Sequence, residues 1–334
     1  MSDAYWLAII FIGLMGLSVL VYAILDGYDL GVGILLPMAE ADEAQRDTMI
    51  ASIGPFWDAN ETWLVLAVGI MLIAFPAAHS VVLFHLYIPV AIMLIGLIMR
   101  GVAFDFRAKA AVDHKLAWDR TFKAGSLLTT LAQGYMLGLY VMGFEGSLSA
   151  HLFALLSGLG VTLAYSYIGA AWLIMKTEGE LQKRAVTWAK LSGRLCFIGV
   201  LAVCIVNPLV NPGVFDRWFD FPLVMFVLLI PALCFAAFLF NDLLLKRLPK
   251  TNDRHCWLPF LLVVAIFVLC FSALAFSFFP DVVPGQMTIW QAASAPESLT
   301  VILIGALVVV PVILAYTAFS YWVFRGKASS LNYH

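Results

Sequence analysis

A chain of 334 residues that is 63% hydrophobic and only 12% charged lies far from soluble domains, where about 25% of residues are charged. Its formal net charge is −2 and no basic stripe runs through it, so nothing points to a nucleic-acid partner. The five cysteines (Cys196, Cys204, Cys234, Cys256, Cys270) have no CxxC spacing, which argues against a zinc site or a disulfide framework.

Crossing ~30 Å of hydrocarbon takes about 20 apolar residues in a helix. Nine runs meet that length, at roughly 5–25, 54–75, 80–102, 122–143, 149–175, 191–210, 221–244, 257–279 and 298–323. The predicted fold is an all-α integral membrane protein with nine transmembrane helices. They are grouped as two four-helix bundles (1–143 and 144–280) and one additional helix, with 281–334 holding an outer loop, the ninth span and a tail. Open sheets cannot span lipid, and the strict alternation of a membrane barrel is missing. The first run lacks a basic leader and a small-residue cleavage site, so it reads as a retained span.

Eighteen of the nineteen Lys and Arg residues fall in five places: Arg46, Arg100 to Lys123, Lys176 to Arg194, Lys246 to Arg254, and the tail with Arg325 and Lys327. Only Arg217, flanked by Asp216 and Asp220, lies elsewhere. Basic residues concentrate in cytoplasmic loops, which places the C-terminus in the cytoplasm. An odd number of spans then puts the N-terminus, Met1 to Tyr5, outside. The segment 39–53 is predicted as a cytoplasmic loop that is acidic (Glu40, Asp42, Glu43, Asp47) apart from Arg46.

Acids inside a membrane are costly, at least ~2.5–3.5 kcal/mol each on insertion scales, so they are functional candidates. The first group, Asp26-Gly27-Tyr28-Asp29-Leu30-Gly31-Val32-Gly33, sits at the cytoplasmic end of the first span. Asp26 and Asp29 share a helix face, and Gly27 and Gly31 form a small-xxx-small pair that admits a close neighbour. These acids either serve a function or simply reach interfacial water. The second group, Pro55-Phe56-Trp57-Asp58-Ala59-Asn60-Glu61-Thr62-Trp63, opens the second span. Asp58, Glu61 and Thr62 lie on one face, and with Asn60 they read as the start of a proton path. The alternative is an N-terminal acid near the helix dipole with Trp57 and Trp63 as interfacial anchors.

The third group runs from Arg100 through Asp105 to Arg107. An arginine at the depth of Arg100 calls for a carboxylate, and Asp29 and Asp58 lie at matching depth; snorkelling is compatible with pairing. Of six histidines (79, 85, 114, 151, 255 and 334) only His85 lies well inside a span, His151 standing at the outer start of another, and His85 has no obvious partner at matching depth. No haem ligation by this chain is therefore expected.

Together the Asp26–Gly33 segment, Trp57-Asp58-Ala59-Asn60 with Trp63, Arg100 to Arg107, Met287-Thr288-Ile289-Trp290 and Pro311 to Ala318 resemble subunit II of the cytochrome bd-type quinol oxidases. The short loops look more like the cyanide-insensitive branch. The resemblance covers the whole chain in order and implies a bacterial inner-membrane heterodimer. Its haem-bearing subunit I would oxidise quinol and reduce dioxygen, using two b-type haems and one haem d. It also implies lipid contact, a possible small accessory membrane subunit and, in some members, ubiquinone or another quinone bound as a structural ligand. Subunit II generally holds no haem. The family's proton-path entrance maps to Asp58, with Glu61, where some relatives carry Gln, one turn further. Asp29 and Arg100 match positions associated with assembly or haem retention, and Asp26, Trp57, Trp63, Asp105 and Trp290 join them as structural candidates. Gln291 stands where some relatives carry Asp. A secondary transporter is the main alternative, but its polar groups would lie near the midplane; a purely structural membrane subunit without a proton role is the other.

Overall fold

The computed structural model describes residues 2–39, 42–109, 112–210, 212–221, 224–249 and 253–328. Met1, Glu40 and His334, named above, lie outside the described residues. The helices in chain order are α1 (Ser2–Leu35), α2 (Glu43–Ile53), α3 (Trp57–Ala74), α4 (Pro76–Lys109), α5 (Val112–Val141), α6 (Leu148–Lys176), α7 (Gly179–Val210), α8 (Pro212–Phe219), α9 (Val224–Val227), α10 (Leu229–Leu245) and α11 (Leu258–Phe278). A short antiparallel hairpin, β1 (Asp281–Val283) and β2 (Met287–Thr288), leads into α12 (Ile289–Ala292) and α13 (Pro296–Val323).

Among the described residues seven helices are long and apolar enough to cross a membrane: α1, α3, α4, α6, α7, α11 and α13. The other two expected spans fall largely in α5 and, for the described residues of 221–244, in α9 and α10. The start of α5 carries Asp119, Arg120 and Lys123, and α10 is an apolar helix of 17 residues. Two segments expected as loops are structured. Residues 43–53 form α2, because Met49, Ile50 and Ile53 supply an apolar side that the body of the protein buries. Residues 281–292 form the hairpin and α12, whose start is a capping box: Gln291 N–H donates to Thr288 Oγ1 and Thr288 N–H to Gln291 Oε1. Gln291 therefore has a local structural task.

α1 is the centre of the assembly, touching α3, α5, α6, α11 and α13. It crosses α6 at backbone contact: a Cβ on Gly31 would fall 1.8 Å from the Tyr165 carbonyl oxygen, and one on Gly169 would fall 2.6 Å from the Gly31 carbonyl carbon. The pair read as Gly27 and Gly31 is thus used against Gly169 and the Tyr165 ring. α4 meets α5 the same way through Gly96 and Gly125. Two apolar cores result. One surrounds Tyr28, Phe56 and Trp172, at the end holding the C-terminus of α1 and the N-terminus of α3, here the polar end. The other surrounds Phe11, Phe75 and Val283 at the hairpin end.

α13 is the least embedded long helix, with Leu299 and Val310 its buried residues. Its C-terminal end is fastened at the polar end. The Tyr321 ring stacks on Phe56 at 4.5 Å. Lys176 Nζ donates to the carbonyls of Phe324 (2.5 Å) and Gly326 (3.0 Å), and its ammonium lies 5.0 Å from the Trp172 ring. A cation at orphaned C-terminal carbonyls satisfies them and meets the negative end of the dipole.

Candidate functional site

Two turns of α1 at the polar end carry both acids of the first group. Asp26 and Asp29 are fully buried, yet they face different neighbours. Asp26 Oδ1 accepts from Arg100 Nη1 of α4 at 2.6 Å. Glu61 of α3 approaches the same Nη1 at 3.4 Å and stays partly exposed, at 27%. The Arg100 guanidinium also lies 5.8 Å from the Trp57 ring. Of the carboxylates proposed for Arg100, neither Asp29 nor Asp58 makes the ion pair; Asp26 and Glu61 do. The reason is rotational: three residues along a helix is about 300°, so Asp26 and Asp29, though neighbours on the surface, reach different helices.

Asp29 Oδ2 accepts from Asn60 Nδ2 at 2.7 Å. The same nitrogen is 3.0 Å from the Tyr28 hydroxyl and 3.4 Å from the Leu25 carbonyl. Tyr321 donates to Asn60 Oδ1 at 3.2 Å, and the Tyr28 and Tyr321 hydroxyls meet at 2.5 Å. Asn60 is buried and turned toward α1, away from Asp58 and Thr62, which are exposed on the other side of α3. The expected polar descent along α3 therefore divides. Asp58, Thr62 and part of Glu61 face outward, and Asn60 faces inward.

Trp63 is buried, and Trp57 packs on Phe104 at 4.9 Å. Asp105 is exposed and lines a small hollow with Phe104, Ala108 and Lys109. Trp290 is not brought to this site. It stacks on Tyr5 at 5.0 Å, some 21 residues before Asp26, or roughly 30 Å along α1 at about 1.5 Å per residue. His85 stacks on Phe144, with Nδ1 2.8 Å from the Val81 carbonyl, also away from the acids.

Sequence reasoning missed a second buried ion network beside this site. Asp119 of α5, fully buried, accepts from Arg46 Nε of α2 at 2.8 Å and from Arg107 Nε of α4. Arg107 also reaches Asp47 at 2.7 Å, and Arg46 donates to the Ala39 carbonyl at 2.6 Å. The single available signal was Arg46 itself, a lone cation in an acidic segment. Lys176 was likewise read only as an orientation signal.

Chemically, the site is a buried acid–guanidinium group, Asp26 with Arg100, touched by the partly exposed Glu61 and lying beside a separate buried polar cluster of Asp29, Asn60, Tyr28 and Tyr321. Asp58 is a titratable carboxylate exposed at the surface, and no group of His, Cys, Asp or Glu suited to a metal occurs among the described residues.

Comparison with known proteins agrees in extent. The family described as cytochrome bd terminal oxidase subunit II matches residues 7–324. The cytochrome bd ubiquinol oxidase subunit 2 of Bacillus subtilis (strain 168) is 30% identical, over 96% of this chain and 94% of that protein. The cytochrome bd-I ubiquinol oxidase subunit 2 of Escherichia coli (strain K12) is 27% identical, over 94% and 93%. A chain in the structure of bd oxidase from Geobacillus thermodenitrificans superposes with a TM-score of 0.71 at 18% identity, covering 95% of this chain and 98% of that one, so the fold is shared. The chain belongs to the cytochrome bd terminal oxidase subunit II family and is a membrane subunit of a quinol oxidase, an oxidoreductase complex.

Proposed function

We propose that this subunit supports a haem-bearing subunit I and supplies it with a cytoplasmic proton inlet that begins at Asp58 and continues through Glu61. The observation that carries this reading is the placement of Asp58. It is an exposed carboxylate in the first turn of an apolar helix, with exposed Thr62 one turn on and half-buried Glu61 between it and the buried Arg100–Asp26 pair. Asp26, Asp29, Trp57, Trp63, Arg100 and Asp105 would hold the polar end in shape for assembly, and Trp290 would do so at the hairpin end.

In the same reading the subunit crosses the bacterial inner membrane nine times, with the N-terminus outside and the C-terminus in the cytoplasm, and the units 1–143, 144–280 and 281–334 stand as two bundles and a last helix. Two b-type haems and one haem d would reside in subunit I, where quinol is oxidised and dioxygen reduced. The reading also allows a quinone bound as a structural ligand and a small accessory subunit. Dioxygen reduction consumes protons. Drawing them from the cytoplasm while quinol releases its own outside separates charge, worth ~2.3 kcal/mol per charge per 100 mV.

The test is the double substitution Asp58→Asn, Glu61→Gln in the whole complex. The amides keep shape and hydrogen bonding but remove the titratable protons. Oxygen-linked proton uptake should slow by about tenfold or more, as for loss of a positioned acid–base group, with haem content unchanged. Parental turnover with full haem would leave the purely structural role instead.

A further inference from the structure

We propose that Tyr321 of α13 is a positioning residue for Asp29: with Tyr28 and Asn60 it closes a hydrogen-bonded ring that holds an Asn60 N–H on the Asp29 carboxyl. The proton count fixes the direction of the ring. Tyr321 spends its one hydroxyl proton on Asn60 Oδ1 at 3.2 Å. The 2.5 Å contact between the two tyrosines must then be donated by Tyr28. The Tyr28 oxygen in turn accepts from Asn60 Nδ2 at 3.0 Å. Each member is at once donor and acceptor, so each bond polarises the next.

Asn60 Nδ2 has two protons. The ring uses one, and the other is directed at Asp29 Oδ2, 2.7 Å away. Turning the amide over would bring Oδ1 against Asp29 Oδ2 and toward the Leu25 carbonyl, which now lies 3.4 Å from Nδ2. Oxygen would face oxygen in a place fully buried from water, where an unmatched polar contact is costly. The acceptors on the α1 side thus set which end of the amide faces Asp29, and Tyr321, bonded to Oδ1, anchors the amide in that place from the far side.

Tyr321 can do this because its helix is pinned where it meets Asn60. The ring stacks on Phe56 at 4.5 Å and 25°, and Lys176 holds the carbonyls of Phe324 and Gly326 just beyond. A helix with little buried surface elsewhere is thereby tied to the acids of α1. The functional consequence rests on the reading above that Asp29 supports assembly with the haem-bearing partner; the hydrogen-bond geometry does not.

The test uses the intact oxidase complex with carboxyl-13C-labelled aspartate and solid-state NMR, the Asp29 resonance being assigned by its loss in Asp29→Asn. Tyr321→Phe keeps the ring stack and deletes one hydroxyl. The Asp29 resonance should move, Tyr28→Phe should move it in the same sense, and haem retention should fall by roughly fivefold, the scale of losing about one net hydrogen bond. Tyr321→Phe combined with Asp29→Asn should be no worse than Asp29→Asn alone. An unmoved Asp29 resonance in Tyr321→Phe, with Tyr28→Phe or Asn60→Ala shifting it, would overturn the proposal. If Asp29→Asn retains haem fully, the assembly role of Asp29 fails, and the shifted resonance still decides whether Tyr321 positions it. Should Tyr321→Phe not assemble, an unmoved resonance in Tyr28→Phe overturns the ring by itself.

Discussion

Asp26 and Arg100 meet at 2.6 Å with neither side chain exposed, joining the central helix α1 to α4 inside an apolar bundle. Removing one partner of a buried pair costs about 3–5 kcal/mol, because it strands the other charge. Arg100→Leu leaves Asp26 with no cation and Glu61 without its neighbour. It should sharply reduce assembled complex and haem content. Arg107→Leu leaves Asp119 still paired with Arg46 and should do less harm. Haem per subunit in purified complex measures both; equal, negligible losses would show that the Arg100 pair contributes nothing. Adding Asp26→Leu to Arg100→Leu should recover part of the loss.

Arg46 ties α2 to the body through Asp119 and the Ala39 and Pro37 carbonyls. Arg46→Met should loosen α2 and raise protease cleavage within 37–47 severalfold, since hydrogen bonds to charged groups are worth about 1.5–3 kcal/mol each. Unchanged cleavage would mean that the apolar side of α2 alone suffices.

Gly31→Ala places a methyl 1.8 Å from a backbone oxygen, so α1 and α6 must separate. Overpacking of this kind costs about 1–3 kcal/mol or more. Gly13→Ala, on the same helix with nothing within 4 Å, should be neutral. The melting temperatures of the two variants in detergent check the contrast.

Asp253 lies in the segment between α10 and α11. Burial works to raise its carboxyl, but hydrogen bonds from Cys256, Lys327 and Gln182 outweigh that and hold it below the usual carboxylate range. A depressed folded-state value gives stability that is present above the unfolded value, about 3.9, and is lost as pH falls through the folded one. The bond from Lys327 to Asp253 should therefore hold the tail at neutral pH and release it only below roughly pH 4. Protease access to residues after Phe324, followed against pH, should rise in that window. Asp253→Asn should raise it already at neutral pH.

The acids at 26, 29, 58 and 61 were legible as a group because depth along a span follows from position in the chain alone. Their partners were not. Asp29, expected near Arg100, bonds Asn60, while Asp26 takes the guanidinium. Asn60, expected beside Asp58, faces the opposite way. Soluble helices announce their inward side by an apolar stripe. A helix apolar all round announces none, so the rotation of each span about its axis could not be read.

What the sequence determined by itself was an all-helical membrane protein, seven of whose nine expected spans are helices long and apolar enough to cross among the described residues, and which segments gather the charges. Both are properties of single stretches of chain, set by hydropathy, length and residue counts. The tertiary structure alone decided the pairing of Asp26 with Arg100, the Arg46–Asp119–Arg107 network, the hold of Lys176 on the end of α13, and the ring through Tyr321. Each of these joins residues from different helices, and glycine contacts such as Gly31 on Gly169 set the rotation and spacing that bring them together.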